Sequence, residues 1–294
     1  MAWLQLSLKT IATLAPAWGE VLSDIGAVAV SFQDAKEEPL YEPDPGKTPL
    51  WTMTEIIGLF EHDVNLNTIK TQIKTQLGEE AFQSLHIETI EDQDWERAWM
   101  DQFHPMQFGK RLWICPNWEV PPDSAAINIF LDPGLAFGTG THPTTRLCLE
   151  WLEAHPPQHL TVIDYGAGSG ILGIAAIKLG AKKVYAVDHD PQALLSTKDN
   201  ANKNSLTEQE MIPLLPQQLD QDTHVDLILA NILANPLKEL APTFKKLLKP
   251  EGRVVLSGIL QPQAEEVLVS YSPWFKKVSF AVLEDWCCIT LQVL

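Results

Sequence analysis

An acidic residue and three glycines follow one apolar run in this sequence. Residues 160–163 are apolar, predict a buried strand and end at Asp164. Three glycines follow at every second position, namely Gly166, Gly168 and Gly170. A helical pattern then covers residues 171–179. Strand, glycine loop and helix in this order predict the first βα unit of a nucleotide-binding domain.

A second acidic residue, Asp188, ends the next apolar run at 184–187. A carboxylate at this distance from the loop can accept hydrogen bonds from both ribose hydroxyls of a nucleotide. Because NAD and S-adenosylmethionine both carry that ribose, Asp188 fits either ligand. The carboxylate of Asp164, however, would repel a pyrophosphate and suits the positively charged amino-acid end of S-adenosylmethionine.

Two further features concern the same choice. Asn231 ends the apolar run 225–230, at the crevice of the predicted sheet where a methyl acceptor would lie. Residues 277–283 and 287–294 predict a C-terminal hairpin, the antiparallel pair that closes a class I methyltransferase sheet. Together these features favour S-adenosylmethionine, and an NAD-dependent oxidoreductase is the alternative.

Strand and helix patterns alternate through the second part of the chain and predict a doubly wound parallel α/β sheet. The alternating segments are 160–164, 171–179, 183–188, 191–203, 226–230, 236–248 and 252–257. The first ninety residues follow the order βαββαβ, which predicts a small ferredoxin-like α+β domain. We therefore expect a first domain at 1–91, a linker helix at 92–104 and a Rossmann-like domain at 105–294.

Composition limits the partners. The 294 residues carry a net charge of −17, and residues 1–130 hold 20 Asp and Glu against 8 Lys and Arg. An acidic surface repels phosphate backbones and attracts basic partners, so direct binding of free nucleic acid is not expected.

No apolar run reaches a membrane-spanning length, and the start of the chain lacks the basic region of a signal peptide, so a cytoplasmic location is expected. The four cysteines show no CxxC spacing and predict buried thiols rather than a metal site.

A segment rich in glycine and threonine lies upstream, at 137–145. Thr141 or His142 can cap a helix whose first turn contains Pro143. The density of glycine and threonine indicates a loop that folds over a ligand.

Four motifs in this order resemble one protein family. They are the segments 137–145, 164–170, 188–191 and 230–234. The chain closely resembles the bacterial ribosomal protein L11 methyltransferase (PrmA) family, and the similarity extends to Asp94-Trp95, to the segment 112–116 and to Trp286-Cys287. The resemblance implies S-adenosylmethionine-dependent methylation of lysine side chains and the N-terminal amine of that basic ribosomal protein. It also implies that the small N-terminal domain holds the substrate.

The resemblance also indicates the site residues. Cofactor contacts are implied at Thr145, Gly166, Asp188 and Asn231. Further expected contacts are Asp164, Gly168, Gly170, Phe137 and Thr139. No metal is implied.

The transfer needs a neutral amine, and Asn231 with the carbonyl groups after it is the candidate for holding that amine. Asn231-Ile232-Leu233 lacks the aromatic ring found where nucleobases or glutamine amides are methylated. His142 could be a general base or only a helix cap, and no catalytic acid or base is assigned. Two further hypotheses are methylation of a different basic protein and a methyltransferase fold that only binds its ligands.

Overall fold

The computed structural model describes residues 2–36, 38, 48–91, 103–131, 140–220 and 222–294. The chain forms two compact units, residues 1–100 and 101–294. The linker helix expected at 92–104 lies almost wholly outside the described residues, so that helix and the domain limit at residue 91 stay predictions.

The described residues of the first unit form one antiparallel sheet with two helices. Its elements are β1 (Trp3–Ile11), α1 (Ala15–Asp24), β2 (Ala29–Asp34), β3 (Met53–Glu61), α2 (Leu66–Ser84) and β4 (His86–Ile90). The strand order is β2-β3-β1-β4, and every neighbouring pair is antiparallel. This is the ferredoxin-like arrangement that the βαββαβ pattern predicted.

Alternation along β3 explains why one face of this sheet is covered by helices. Ile56 and Phe60 are fully buried and pack in one cluster with Trp18 of α1 and Ile73 of α2. Side chains at the alternate positions of β3 point to the other face. Helix α2 is interrupted at Gly78, where φ is 88°.

The second unit contains a small three-stranded sheet and a large seven-stranded one. The strands are β5 (Met106–Phe108), β6 (Leu112–Cys115), β7 (Ile127–Phe130), β8 (Thr161–Tyr165), β9 (Lys183–Val187), β10 (Met211–Leu214), β11 (Val225–Asn231), β12 (Leu248–Leu260), β13 (Phe275–Leu283) and β14 (Trp286–Val293). The helices are α3 (Pro143–Ala154), α4 (Ile171–Lys178), α5 (Pro191–Lys203), α6 (Ala234–Leu247) and α7 (Ala264–Tyr271).

The large sheet has the order β10-β9-β8-β11-β12-β14-β13. Its first five strands are parallel, and β14 runs antiparallel between β12 and β13. The predicted doubly wound sheet with a C-terminal antiparallel hairpin is therefore confirmed. In this hairpin the second strand, β14, lies between β12 and the first strand, β13, so β14 pairs with β12.

Strand β10 and helix α7 are among the elements of this unit that were not predicted from the sequence. Strand β10 has four residues, lies at the sheet edge and contains Pro213. An edge strand tolerates proline, but a run so short and interrupted carries little periodic signal. Helix α7 has only eight residues, and two turns give too few repeats for a helical period to be recognised.

Packing on both faces of the large sheet fixes its central strands. Val162 of β8 belongs to the core cluster that includes α3 and α4, and its neighbour Ile163 belongs to the cluster that includes α6 and α7. In the register, Tyr165 lies beside Ala230 of β11 and beside Val187 of β9. The segments that follow β8, β9 and β11 therefore leave the sheet at one edge.

Candidate active site

The edge formed by the carboxyl ends of β8, β9 and β11 gathers the predicted residues. Asp164 is the fourth residue of β8, Asp188 directly follows β9, and Asn231 is the last residue of β11. Thr145 lies in the first turn of α3 and is bonded to Asn231. Parallel strand order thus brings together residues that are far apart in the sequence.

The glycine loop uses most of its own backbone donors. The N–H groups of Gly166 and Ala167 both donate to the Val187 carbonyl, at 2.7 and 3.1 Å. The Gly168 N–H donates to Asp188 Oδ2 at 2.9 Å, and the Gly170 N–H donates to the loop's own Ala167 carbonyl at 2.7 Å. These four donors are therefore not offered to a phosphate.

Backbone N–H groups at the start of α4 are also hydrogen-bonded within the chain. Asp164 is 1% exposed, and its Oδ2 accepts the Gly173 N–H at 2.8 Å. The Ile171 N–H donates to Ser169 Oγ at 3.3 Å. A pyrophosphate binds to free N–H groups at a glycine loop and helix start, and here the N–H groups of Gly168, Ile171 and Gly173 already have side-chain acceptors. The loop is suited to a nucleoside without a pyrophosphate.

Burial changes the proton affinity of Asp164. The pKa of Asp164 is raised to about 7: removal from water is the largest cause, the Gly173 hydrogen bond lowers the pKa, and the nearby Asp188 charge raises it. The sequence interpretation placed this carboxylate against a cationic ligand group. The structure instead shows it beneath the loop, bonded to the first turn of α4.

Two glycines hold the residue after Asn231 in a narrow slot. Gly166 and Gly258 have φ values of 76° and 82°. A Cβ on Gly166 would overlap the Ile232 side chain, and a Cβ on Gly258 would overlap the Ile232 carbonyl oxygen. These positions exclude any side chain, so the end of β11 has a fixed place relative to the glycine loop.

Asp188 is oriented by two backbone donors. It is 7% exposed, its Oδ2 accepts from Gly168, and its Oδ1 accepts the Asp190 N–H at 3.0 Å. A carboxylate has further acceptor positions on each oxygen. Asp188 can therefore accept hydrogen bonds from a pair of ligand hydroxyls without losing its own supports.

Asn231 carries an unsatisfied acceptor. Its Nδ2 donates to Thr145 Oγ1 at 3.2 Å. Its Oδ1 is buried, and no group in the described parts of the chain donates to it. Leaving such an atom unpaired costs roughly 1–3 kcal/mol. A ligand that brings an N–H or O–H donor would remove that cost.

His142 is a helix cap in this structure. Its Nδ1 accepts the Thr144 N–H at 3.3 Å and lies 2.7 Å from Thr144 Oγ1. A neutral imidazole that accepts at Nδ1 carries its proton on Nε2, so it has no second lone pair for a base. Burial lowers the pKa of His142, although the Glu284 charge partly opposes this effect. The geometry supports capping rather than proton abstraction.

Two of the predicted cofactor contacts, a metal site and a membrane-spanning helix remain to be considered. Phe137 and Thr139 fall outside the described residues. Across the described ranges, no group of three or more His, Cys, Asp or Glu is arranged to hold a metal ion. No helix within those ranges combines the length and apolar character needed to cross a lipid bilayer.

Sequence reasoning missed several supporting polar residues. Ser257, fully buried on β12, lies beside Asn231, and its hydroxyl is within hydrogen-bond distance of the Thr144 carbonyl, at 3.2 Å. Thr197, Asn200 and Asn204 on or just after α5 are also buried. Their spacing of three and four within a predicted helix was the signal that could have identified them.

Comparison with known proteins gives a consistent result along the whole chain. Residues 2–293 match the family model described as ribosomal protein L11 methyltransferase (PrmA). A protein named ribosomal protein L11 methyltransferase from Actinobacillus pleuropneumoniae serotype 3 (strain JL03) is 51% identical over 291 residues, covering 99% of each chain. One of the same name from Vibrio cholerae serotype O1 is 51% identical over 292 residues, covering 99% of this chain and 98% of its own.

A solved structure is similar to part of the chain. The crystal structure of ribosomal protein L11 methylase from Lactobacillus delbrueckii subsp. bulgaricus has 32% sequence identity and a TM-score of 0.59. The match covers 65% of this chain and 98% of that one.

Replacing His142 tests its capping role. We expect His142→Ala to lower the free energy of unfolding by about 1 kcal/mol, because the first turn of α3 loses its side-chain acceptor. His142→Asn should restore most of the loss, since asparagine caps well. Urea denaturation of the three proteins at pH 7.5 provides the measurement. Equal destabilisation by alanine and asparagine would contradict the assignment.

The raised pKa of Asp164 predicts a pH-dependent stability. Because the folded state favours the protonated acid, this contribution is complete below pH 4 and is lost as the pH rises through about 7. Asp164→Asn mimics the protonated form and keeps an acceptor for Gly173. From pH 5.5 to 8.5 the wild type should lose about 2 kcal/mol relative to the variant. Parallel denaturation curves with a constant difference would show that Asp164 does not titrate in this range.

Proposed function

Since the chain belongs to the ribosomal protein L11 methyltransferase (PrmA) family, we propose that it transfers methyl groups from S-adenosylmethionine to amino groups of ribosomal protein L11. The acceptors are lysine side chains and the N-terminal amine. The observation that carries this proposal is the match of residues 2–293 to the family. The activity of a ribosomal protein methyltransferase suits a cytoplasmic protein.

The residues at the sheet edge fit this cofactor. Asp188 would hold the ribose hydroxyls, because both of its oxygens are oriented and retain acceptor capacity. Thr145, Gly166 and Asn231 would line the same cleft, with Gly168 and Gly170 shaping the loop. The occupied loop donors support a sulfonium nucleoside over NAD, whose pyrophosphate would lack hydrogen-bond donors there.

The chemistry requires little acid–base assistance. S-adenosylmethionine supplies a methyl group whose leaving group is a neutral thioether, so no proton is needed at that atom. Free lysine has a pKa near ~10.4, and the chain must therefore bind the amine in its neutral form. Asn231 Oδ1 would accept one N–H of that amine and orient the nitrogen lone pair toward the methyl carbon. The proton lost from the ammonium leaves to water, because His142 Nδ1 is used by its helix.

The residues after Asn231 suit an aliphatic amine. Leu233 is 46% exposed although it follows directly after the Ile232 slot. An exposed leucine can pack on the methylene stem of a lysine and remove water from around the amine. Ala234 is 1% exposed and offers no ring for stacking a nucleobase. These features support an amino acceptor and not a base.

The first unit is proposed to recognise the substrate through the face of its sheet that lies opposite α1 and α2. In the strand register, Glu61 lies opposite Trp3, and Glu88 lies opposite Gln5. Both glutamates are exposed on the face away from the buried Leu4. An acidic face with an aromatic residue suits a basic protein. Direct binding of free nucleic acid or of a membrane forms no part of this proposal.

A radiolabel transfer assay tests the function. The wild-type chain, incubated with methyl-labelled S-adenosylmethionine and ribosomal extract, should label one band, ribosomal protein L11. Asn231→Ala should lower kcat by about 100-fold, because the amine loses the acceptor that orients it. Asn202→Ala, which changes an exposed asparagine on α5, is the matched control.

The same assay has clear contrary outcomes. A normal rate for Asn231→Ala with normal affinity for S-adenosylmethionine would reject the positioning role. Labelling of a different basic protein would support methyl transfer to a protein but reject ribosomal protein L11 as the substrate. Tight binding of NADH without any binding of S-adenosylhomocysteine would reject the methyltransferase function itself.

Charge reversal tests the proposed docking face. Glu61→Lys with Glu88→Lys should raise KM for ribosomal protein L11 by roughly 10-fold, because two acidic contacts become repulsive toward a basic protein. The Kd for S-adenosylhomocysteine should be unchanged. Glu239→Lys with Glu265→Lys, at exposed positions of α6 and α7, makes the same change in net charge away from the first unit. An unchanged KM for the double variant would place the docking face elsewhere.

A further inference from the structure

Helix α5 has a row of buried polar side chains. Thr197 is 0% exposed, Asn200 is 3% exposed, and Asn204, directly after the helix, is 2% exposed. The spacing of three and four residues places all three on one face of the helix. Burying amides and hydroxyls is unfavourable unless each group is hydrogen-bonded. Their partners therefore indicate what this face does.

Two members of the row are bonded to the glycine loop. Thr197 Oγ1 donates to the Gly168 carbonyl at 3.0 Å. Asn200 Nδ2 donates to the Ser169 carbonyl at 2.9 Å. Both bonds join side chains to backbone carbonyls, so they constrain the loop conformation directly.

The third member is bonded to the end of β7. Asn204 Oδ1 accepts the Phe130 N–H at 2.9 Å, and its Nδ2 donates to the Phe130 carbonyl at 2.8 Å. The side chain thus satisfies both backbone groups of one residue, as a neighbouring strand would. Its Nδ2 also lies 2.8 Å from the Asn200 carbonyl. Phe130 precedes the segment that holds the predicted contacts Phe137 and Thr139.

The start of α5 is joined to the site as well. Asp190 caps the helix by accepting the Gln192 N–H at 2.9 Å. The Asp190 N–H donates to Asp188 Oδ1 at 3.0 Å. One helix is therefore bonded at its start to the proposed ribose carboxylate, along its face to the glycine loop and at its end to β7.

We propose that Thr197, Asn200 and Asn204 are positioning residues that set the geometry of the nucleoside site. The row joins the glycine loop to the end of β7 through one helix, and thereby fixes the place of the loop beside Asp188. None of the three contacts the reacting atoms. Their effect is on cofactor affinity and not on the methyl transfer step. This inference rests on the proposed function, since the ligand is S-adenosylmethionine or its product.

Affinity measurements on the full chain test the row. The Kd of S-adenosylhomocysteine, measured by isothermal titration calorimetry, should rise at least about 10-fold in Asn204→Leu, because Phe130 loses both partners. The kcat at saturating S-adenosylmethionine should stay within about 2-fold of wild type. Asn202→Leu makes the same replacement at an exposed position of the same helix and should change neither quantity.

Thr197 provides a second, milder pair of variants. Thr197→Val has nearly the same shape but loses the bond to Gly168, and should raise the Kd by about 5-fold. Thr197→Ser retains the hydroxyl and should restore the wild-type Kd. If Asn204→Leu does not fold, the Kd values of these two Thr197 variants still test whether the row affects cofactor affinity. A destabilised variant with normal Kd would show a purely structural role.

Results that contradict the positioning role can be distinguished from results that contradict the proposed methyltransferase function. Unchanged Kd values in folded Asn204→Leu and Thr197→Val, or a fall in kcat with unchanged Kd, would overturn the positioning role. A wild-type chain that binds S-adenosylhomocysteine but labels no L11 would overturn the proposed substrate and leave the affinity comparison intact. A wild-type chain that does not bind S-adenosylhomocysteine would overturn both.

Discussion

The hydrogen bond from the Gly168 N–H to the Asp188 carboxylate is the constraint on which the rest of the site depends. It consumes the loop donor that a phosphate would need, and it orients the acceptor that a ribose would use. A loop able to make this bond must turn tightly, and Gly166 and Gly170 allow the turn with positive φ. This bond therefore links the conformation of the glycine loop to the orientation of the Asp188 carboxylate before any ligand binds.

Asn231, the residue proposed to hold the amine, differs from Asp188 because one of its polar atoms is left without a hydrogen-bond partner in the described part of the chain. Thr145 holds the amide nitrogen of Asn231, and the amide oxygen has no donor in the described part of the chain. His142 supports Thr145 indirectly, because it caps the helix on which Thr145 lies. Asp188 is thus supported from within the chain, whereas Asn231 Oδ1 keeps an acceptor position for a ligand.

Much of the fold followed from sequence pattern because long periodic segments carry it. The strands around Asp164, Asp188 and Asn231, and the capped helix after His142, lie where apolar runs and capping residues indicated. The small edge strand containing Pro213 was not predictable, since its pairing with β9 is decided by tertiary contact. The burial of Asp164 was equally hidden, because sequence gives the type of a charged group but not its solvent exposure. The polar row on α5 required knowledge of which helix face meets the loop.

The inserted strand β14 has a consequence for the order of assembly. Strand β13 precedes β14 in the chain, yet it reaches the sheet only through β14, which pairs with β12. During synthesis β13 therefore cannot pair with the sheet, and Phe275 cannot be buried against it, until β14 has been synthesised. Pairing of β14 with β12 spans a long loop containing α7, so it is a slow, nonlocal step. Trp286, which packs edge-on against His142 at 4.9 Å, arrives only with that step. The ring contact that packs on the capping residue His142 is therefore made by the part of the sheet that completes it last in the chain.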